Sequence, residues 1–129
     1  LDCHHALVVH GGDGLDEITI TRKTKVCELK EGRISSYTIS PEDFGLPRAN
    51  LTSLKGGTVA ENAALLRSIL SGTPGPQRDV VLMNAAAALV AGDKAKTIQQ
   101  GIDLAREALD TGKALAKLEK LIKLSQSFT

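Results

Sequence analysis

The front third of the chain and the remainder carry two different hydrophobic rhythms. Residues 6–9 (Ala-Leu-Val-Val) form a short unbroken apolar run, the mark of a strand covered on both faces. Residues 17–21 alternate, with Ile18 and Ile20 on one side and Thr19 and Thr21 on the other, which predicts a half-buried strand. Residues 25–30 and 33–39 are further β-rich runs separated by Glu31-Gly32, which reads as a hairpin whose glycine supplies the positive φ of the turn.

From residue 40 onward the period lengthens to that of helices. Ser40-Pro41-Glu42-Asp43 looks like a helix start, with Ser40 as N-cap and acids in the first turn, and Gly45 and Pro47 stop it within about a turn. Residues 51–57 read as a loop. Thr58-x-x-Glu61 is a capping box ahead of the apolar positions Ala63, Leu66, Ile69 and Leu70. Gly72 ends that helix and Pro74-Gly75-Pro76 forces a turn. Residues 78–91 are apolar almost all round, which predicts a central helix packed on several sides. The lone amide Asn84 must find partners there, because an unpaired buried polar group costs about 1–3 kcal/mol. Thr97 caps a helix with the stripe Ile98, Ile102, Ala105 and Leu109, and the last helix, after Gly112, is expected to bury Ala114, Leu115, Leu118, Leu121 and Ile122.

Strands first and helices after would suggest α+β. Residues 6–9 are too apolar for a sheet with one wet face, so the expectation is an α/β domain: a small mixed sheet from the N-terminal third, covered by about four helices. The 129 residues suffice for one domain with its own core.

Composition narrows the function classes. Sixteen Lys plus Arg against fifteen Asp plus Glu leave a net charge of +1, so no global field draws the chain to nucleic acid or anionic lipid. Tyr37, Phe44 and Phe128 are the only aromatics, too few for the stacking platforms that hold single-stranded nucleic acid or flat cofactors. Cys3 and Cys27 lack C-x-x-C spacing and read as reduced thiols of a cytoplasmic protein. No run of eighteen apolar residues and no leader precede the first strand, so neither membrane insertion nor secretion is expected. The chain starts at Leu1 almost directly in a strand, as a piece of something longer would.

Chemistry concentrates in His10-Gly11-Gly12-Asp13-Gly14-Leu15-Asp16-Glu17. A strand runs into a glycine-rich turn that delivers the adjacent carboxylates Asp16 and Glu17. Oxygen donors on such a turn suit Mg2+, which keeps several waters and is usually shared with substrate phosphates. The alternative is a connecting turn in which Asp13 and Asp16 bond their own backbone.

Other candidates are weaker. His4, His5 and His10 do not form a ligand set, because His4 and His5 point to opposite faces of a strand and no second cluster has zinc spacing. Lys113, Lys117 and Lys120 make a basic stripe that reads as a solvated helix face. Gly56-Gly57 ahead of the Thr58 cap offers free amides to an anion, though every helix needs a start. No G-x-S-x-G setting, Cys/His pair of defined spacing or G-x-x-x-x-G-K-[ST] loop is present, so neither nucleophilic catalysis nor a P-loop has support.

Six blocks in order, Ala6-Leu-Val-Val-His-Gly11, Asp13-Gly-Leu-Asp-Glu-Ile18, Pro41-Glu-Asp-Phe-Gly-Leu46, Gly56-Gly-Thr-Val-Ala-Glu-Asn-Ala63, Asn84-Ala-Ala-Ala-Ala-Leu89 and Asp110-Thr-Gly-Lys-Ala-Leu115, resemble the anthranilate phosphoribosyltransferase family across essentially the whole chain. The resemblance implies that residues 1–129 are the C-terminal portion of a nucleoside phosphorylase/phosphoribosyltransferase catalytic domain. It implies a homodimeric parent enzyme that moves phosphoribose from phosphoribosyl pyrophosphate to anthranilate in tryptophan biosynthesis. It also assigns Asp16 and Glu17 to the Mg2+ that accompanies the pyrophosphate, converging with the reading of the residues themselves. The family's Gly-Thr-Gly-Gly-Asp and Lys-His-Gly-Asn segments are not in this sequence, and Arg22-Lys23 stand where relatives often carry a small turn. The isolated chain is therefore expected to be inactive. Two further readings stand beside this one: a non-catalytic α/β module binding a divalent ion or phosphate, and a related pyrimidine nucleoside phosphorylase.

Overall fold

The computed structural model describes residues 3–128. Strands β1 (His5–Gly11), β2 (Thr24–Lys30) and β3 (Arg33–Ile39) form one sheet in that order, and four helices follow: α1 (Val59–Leu70), α2 (Pro76–Ala91), α3 (Ile98–Asp110) and α4 (Lys113–Gln126). Short 3-10 turns at Pro41–Phe44 and Leu51–Leu54 lie between sheet and helices, the second within the stretch read as loop. The α/β class holds, but both strand pairings are antiparallel, so the expected mixed sheet is a meander here. Its hairpin turns where expected, with Glu31 and Gly32 both at positive φ.

Cross-strand register sorts the faces. Val9, Val26 and Tyr37 stand together on one face, and Val26 is fully buried beneath α2 and α3 among Met83, Ala86 and Ile102. The other face is open: Val8 is 69% and Ile34 73% exposed. The expectation that residues 6–9 are covered on both sides is thus corrected, because the helices of this chain pack on one side of the sheet only.

A second correction concerns residues 17–21, which form no strand. Ile18, Thr19 and Ile20 are all fully buried, whereas alternation would have turned Thr19 outward. Their backbone groups are satisfied outside any ladder: the Thr19 amide donates to Thr24 Oγ1 at 3.1 Å, and the Ile20 carbonyl accepts from the Ala49 amide at 3.0 Å. Buried backbone must be paired, and side chains can serve as well as a neighbouring strand.

Helix α2 is the central helix predicted, burying Leu82, Met83, Ala86, Ala87 and Val90. Helix α3 buries the full predicted stripe of Ile98, Ile102, Ala105 and Leu109, and Thr97 caps it by accepting from the Gln100 amide. The two pack closely because Gly101 lies against Ala86, where a Cβ would stand 2.7 Å from the Ala86 carbonyl oxygen. The Thr58–Glu61 capping box forms as read, but α1 turns Ile69 inward and leaves Ala63 and Leu66 exposed. In α4 no residue is fully buried, and Leu121 is 60% exposed. Periodicity identified an apolar stripe there, yet this chain supplies little surface for it to pack against.

Candidate functional site

Residues 12–23 make a long excursion between β1 and β2, and its path is fixed at several points. The Gly11 amide donates to the Leu15 carbonyl at 2.9 Å and the Gly12 amide to the Lys23 carbonyl at 2.8 Å, closing the base of the loop. A side chain at Gly12 would place Cβ 2.8 Å from that Lys23 oxygen, and Gly14 adopts φ +95°, so these two glycines are required by contact and by conformation respectively.

Asp13 is a brace within this loop. One carboxylate oxygen accepts from the Leu15 amide at 3.2 Å, and the other accepts the hydroxyls of Thr19 and Thr21, each at 2.5 Å. Burial by itself would raise its pKa, but the Thr19, Thr21 and Leu15 donors prevail and hold it below the usual aspartate value. The backbone-bonding reading holds for Asp13 in part, through Leu15, and not for Asp16; the Asp13 carboxylate is engaged chiefly by the two threonine hydroxyls.

Asp16 and Glu17 behave differently. Both are exposed, and neither carboxylate has a hydrogen-bond or ion-pair partner among the described residues. Glu17 and Leu15 line a cleft of about 620 Å³ together with Leu54, Lys55, Ile69 of α1 and Val80 of α2. Its walls are predominantly apolar, with Glu17 and Lys55 the charged groups that border it. Gln77 of α2 donates to the Ser53 carbonyl at 2.7 Å, tying the 3-10 turn that carries Leu54 to the helix.

The anchor from below is Asn84. Its Oδ1 accepts from the Ile18 amide at 2.9 Å while its Nδ2 donates to the Ile18 carbonyl at 2.8 Å and to the Val80 carbonyl at 3.0 Å. The amide thus grips the residue next to Glu17 from both sides. A solitary polar position in an apolar helix signalled that partners were needed, but only the fold identifies them.

Two free carboxylates give hard oxygen donors suited to Mg2+. No group of three His, Cys, Asp or Glu residues converges among the described residues, so water, phosphate oxygens or other polypeptide must complete the coordination.

The remaining candidates have other partners. His5 is 4% exposed and sits between Glu28, at 2.8 Å from Nε2, and Asp93, at 2.9 Å from Nδ1, while the Tyr37 hydroxyl donates to the second Glu28 oxygen at 2.9 Å. His4 is exposed, and His10 borders a shallow hollow with Lys23, Lys25 and Thr38. At Gly56-Gly57 the amides serve the helix itself: Gly57 donates to Asn62 Oδ1 and Thr58 to Glu61 Oε2, and the Glu61 carboxylate would repel an anion. Lys113 pairs with Glu107 at 2.7 Å, while Lys117 and Lys120 are exposed. Cys3 and Cys27 are free thiols, and no helix among the described residues is long and apolar enough to cross a membrane.

A model of the glycosyl transferase family a/b domain matches residues 1–115. An anthranilate phosphoribosyltransferase of Moorella thermoacetica is 53% identical over 128 residues, covering 99% of this chain and 38% of that protein. One from Dehalococcoides mccartyi is 55% identical over 129 residues, 98% of this chain and 38% of its own length. Among solved structures, anthranilate phosphoribosyltransferase from Thermus thermophilus superposes with a TM-score of 0.81 at 41% identity, covering 90% of this chain and 34% of that one. The Saccharomyces cerevisiae enzyme in complex with PRPP and Mg gives 0.83 at 30% identity, covering 94% and 35%. The chain therefore spans little more than a third of the length of these relatives. It belongs to the glycosyl transferase family whose a/b domain it matches, and within that family it resembles the anthranilate phosphoribosyltransferases.

Proposed function

We propose that this chain is the C-terminal portion of the α/β domain of an anthranilate phosphoribosyltransferase, a cytoplasmic, homodimeric enzyme of tryptophan biosynthesis, and that Asp16 and Glu17 hold the Mg2+ that accompanies phosphoribosyl pyrophosphate. The observation that carries the reading is the pair itself. On a loop whose third carboxylate, Asp13, is engaged with Leu15, Thr19 and Thr21, two adjacent carboxylates are left without partners among the described residues, one of them bordering the cleft between the loop, α1 and α2. The similarity to relatives of that name, one of them solved with PRPP and Mg, supports the choice of ligand.

Bound there, Mg2+ would offset the negative charge that builds on the pyrophosphate oxygens as they leave the ribose carbon. The chain's own residues supply position and field. Asp13 and Asn84 fix the loop so that the two carboxylates need not reorganise, which is how electrostatic catalysis gains most. Lys55 adds a cation beside the same cleft, and the apolar walls of Leu15, Leu54 and Val80 limit water, strengthening charge interactions within it. Segments that cradle the pyrophosphate in the family are not in this sequence, so turnover requires the rest of the polypeptide.

A hybrid tests this: the matching stretch of the Moorella thermoacetica relative is replaced by residues 1–129, and loss of anthranilate fluorescence is followed with phosphoribosyl pyrophosphate and Mg2+. The hybrid should turn over, the isolated chain should not, and Asp16→Asn with Glu17→Gln should lower kcat/KM by about 100-fold, in keeping with the loss of a metal that stabilises transition-state charge. Full turnover by the doubly substituted hybrid would overturn the assignment.

A further inference from the structure

We propose that Asn84 is a positioning residue for the carboxylate loop, setting the affinity of Asp16 and Glu17 for a divalent cation from beneath the cleft; the inference rests on the metal reading above. Asn84 lies in mid-helix, followed by Ala85, Ala86, Ala87 and Ala88, in a setting where alanine is the better helix former. An amide there is explained by what it holds. Its Oδ1 takes the amide hydrogen of the peptide joining Glu17 to Ile18, and its Nδ2 takes the next carbonyl, so one planar group fixes the peptide on each side of the Ile18 Cα. The third bond, to the Val80 carbonyl one turn back in α2, fixes the orientation of the amide itself.

The Glu17 side chain has no hydrogen bond or ion pair among the described residues to direct it, so the direction of its Cα–Cβ bond follows from that peptide. Asp13 performs the corresponding task at the other shoulder, through the Leu15 amide and the two threonine hydroxyls. Asp16 and Glu17 are thus spaced by backbone held at Leu15 and at Ile18. Val80, which carries the acceptor for Asn84, also borders the cleft, so α2 supplies both the wall and the support of the loop. Groups that orient metal ligands without touching the metal change affinity by about 10–100-fold when removed.

Mn2+ alone is the probe, titrated into the full chain and followed by water-proton relaxation, with circular dichroism and thermal melting on the same samples. Asn84→Ala should remain helical and weaken Mn2+ binding about 10-fold. Leu109→Ala, which removes packing from the cluster of Leu82 and Ala105 and touches none of the hydrogen bonds between Asn84 and the loop, should lower Tm and leave Mn2+ affinity unchanged. If wild type binds, Asp16→Asn abolishes binding and Asn84→Ala binds as wild type does, the positioning role is overturned and the metal reading stands. If Leu109→Ala weakens binding as much as Asn84→Ala does, the effect is one of general stability and the positioning role is likewise overturned. If wild type and Asp16→Asn bind alike, or neither binds, the metal reading fails and the positioning role with it.

Discussion

Removing the Asp13 carboxylate should loosen the whole loop, and the size of the effect can be worked from its three donors. Thr19 is fully buried, so its hydroxyl, which now donates to a charged oxygen, would be left with Thr21 Oγ1 at 3.2 Å as its nearest substitute. A hydrogen bond to a charged group is worth about 1.5–3 kcal/mol. The Thr21 hydroxyl and the Leu15 amide belong to half-buried residues and regain water, so each adds about 0.5 kcal/mol. Asp13→Ala should therefore cost about 2.5–4 kcal/mol at neutral pH, or roughly 10 °C in Tm for a domain of this size. Asp13→Asn, which keeps one carbonyl acceptor and loses the charge, should fall between the two.

The pH dependence has a definite sign. Because the folded carboxyl sits below its ordinary value, its stabilisation is complete above the unfolded value and is lost as pH falls through the folded one. Urea unfolding of wild type and Asp13→Ala from pH 7 down into the acid range measures both quantities. A difference below about 0.5 kcal/mol at pH 7, or one that grows on acidification, would refute the brace.

Three other perturbations are equally direct. The Asp93 and Glu28 hydrogen bonds raise the pKa of His5 above its ordinary 6.5, while the bonds from His5 hold Glu28 and Asp93 low, in Glu28 against its burial. The stability difference between wild type and His5→Ala should then be largest between the ordinary carboxylate range and pH 6.5, and shrink as pH rises through the folded histidine value; melting curves across that range would contradict it by showing a constant difference. Gly101→Ala forces a Cβ to 2.7 Å from the Ala86 carbonyl oxygen and should cost about 2 kcal/mol or more in urea unfolding by parting α2 from α3. Thr58→Ala removes the acceptor of the Glu61 amide and a donor to the Glu61 carboxylate, and should lower stability by about 1 kcal/mol, read by the same method.

Local rules made the hairpin, the caps at Thr58 and Thr97 and the α3 stripe legible, because each is decided within a few residues. Residues 17–21 were misread for the opposite reason. Their alternation matched a strand, but Ile18 and Ile20 pack in the core with α2 and the 46–49 region, distant partners that no short window contains, while Thr19 is held inward by Asp13 and Thr24 within the loop itself. Similarly, the apolar character of residues 6–9 and of α4 gave their tendency to be buried and not the surface that does it. For the site, Gly11-Gly12-Asp13-Gly14 located the loop and Asp16-Glu17 its free carboxylates, whereas the division of labour between Asp13 and the other two acids depends on which side chains reach back to Thr19 and Thr21. Asn84 was legible as a polar group in need of partners, sixty-six residues from the one it serves. The His5–Glu28–Asp93 contact, which spans β1, β2 and the turn after α2, was not legible at all.

The measurement that bears most directly on the central claim is a map of Mn2+ on the isotopically labelled chain by paramagnetic broadening of its amide resonances. Broadening centred on residues 15–18, absent in the Asp16→Asn, Glu17→Gln protein and unchanged by substituting His10, is the result predicted. Broadening centred on Glu28 and Asp93, or none near the loop at concentrations where the double variant and wild type behave alike, would contradict it.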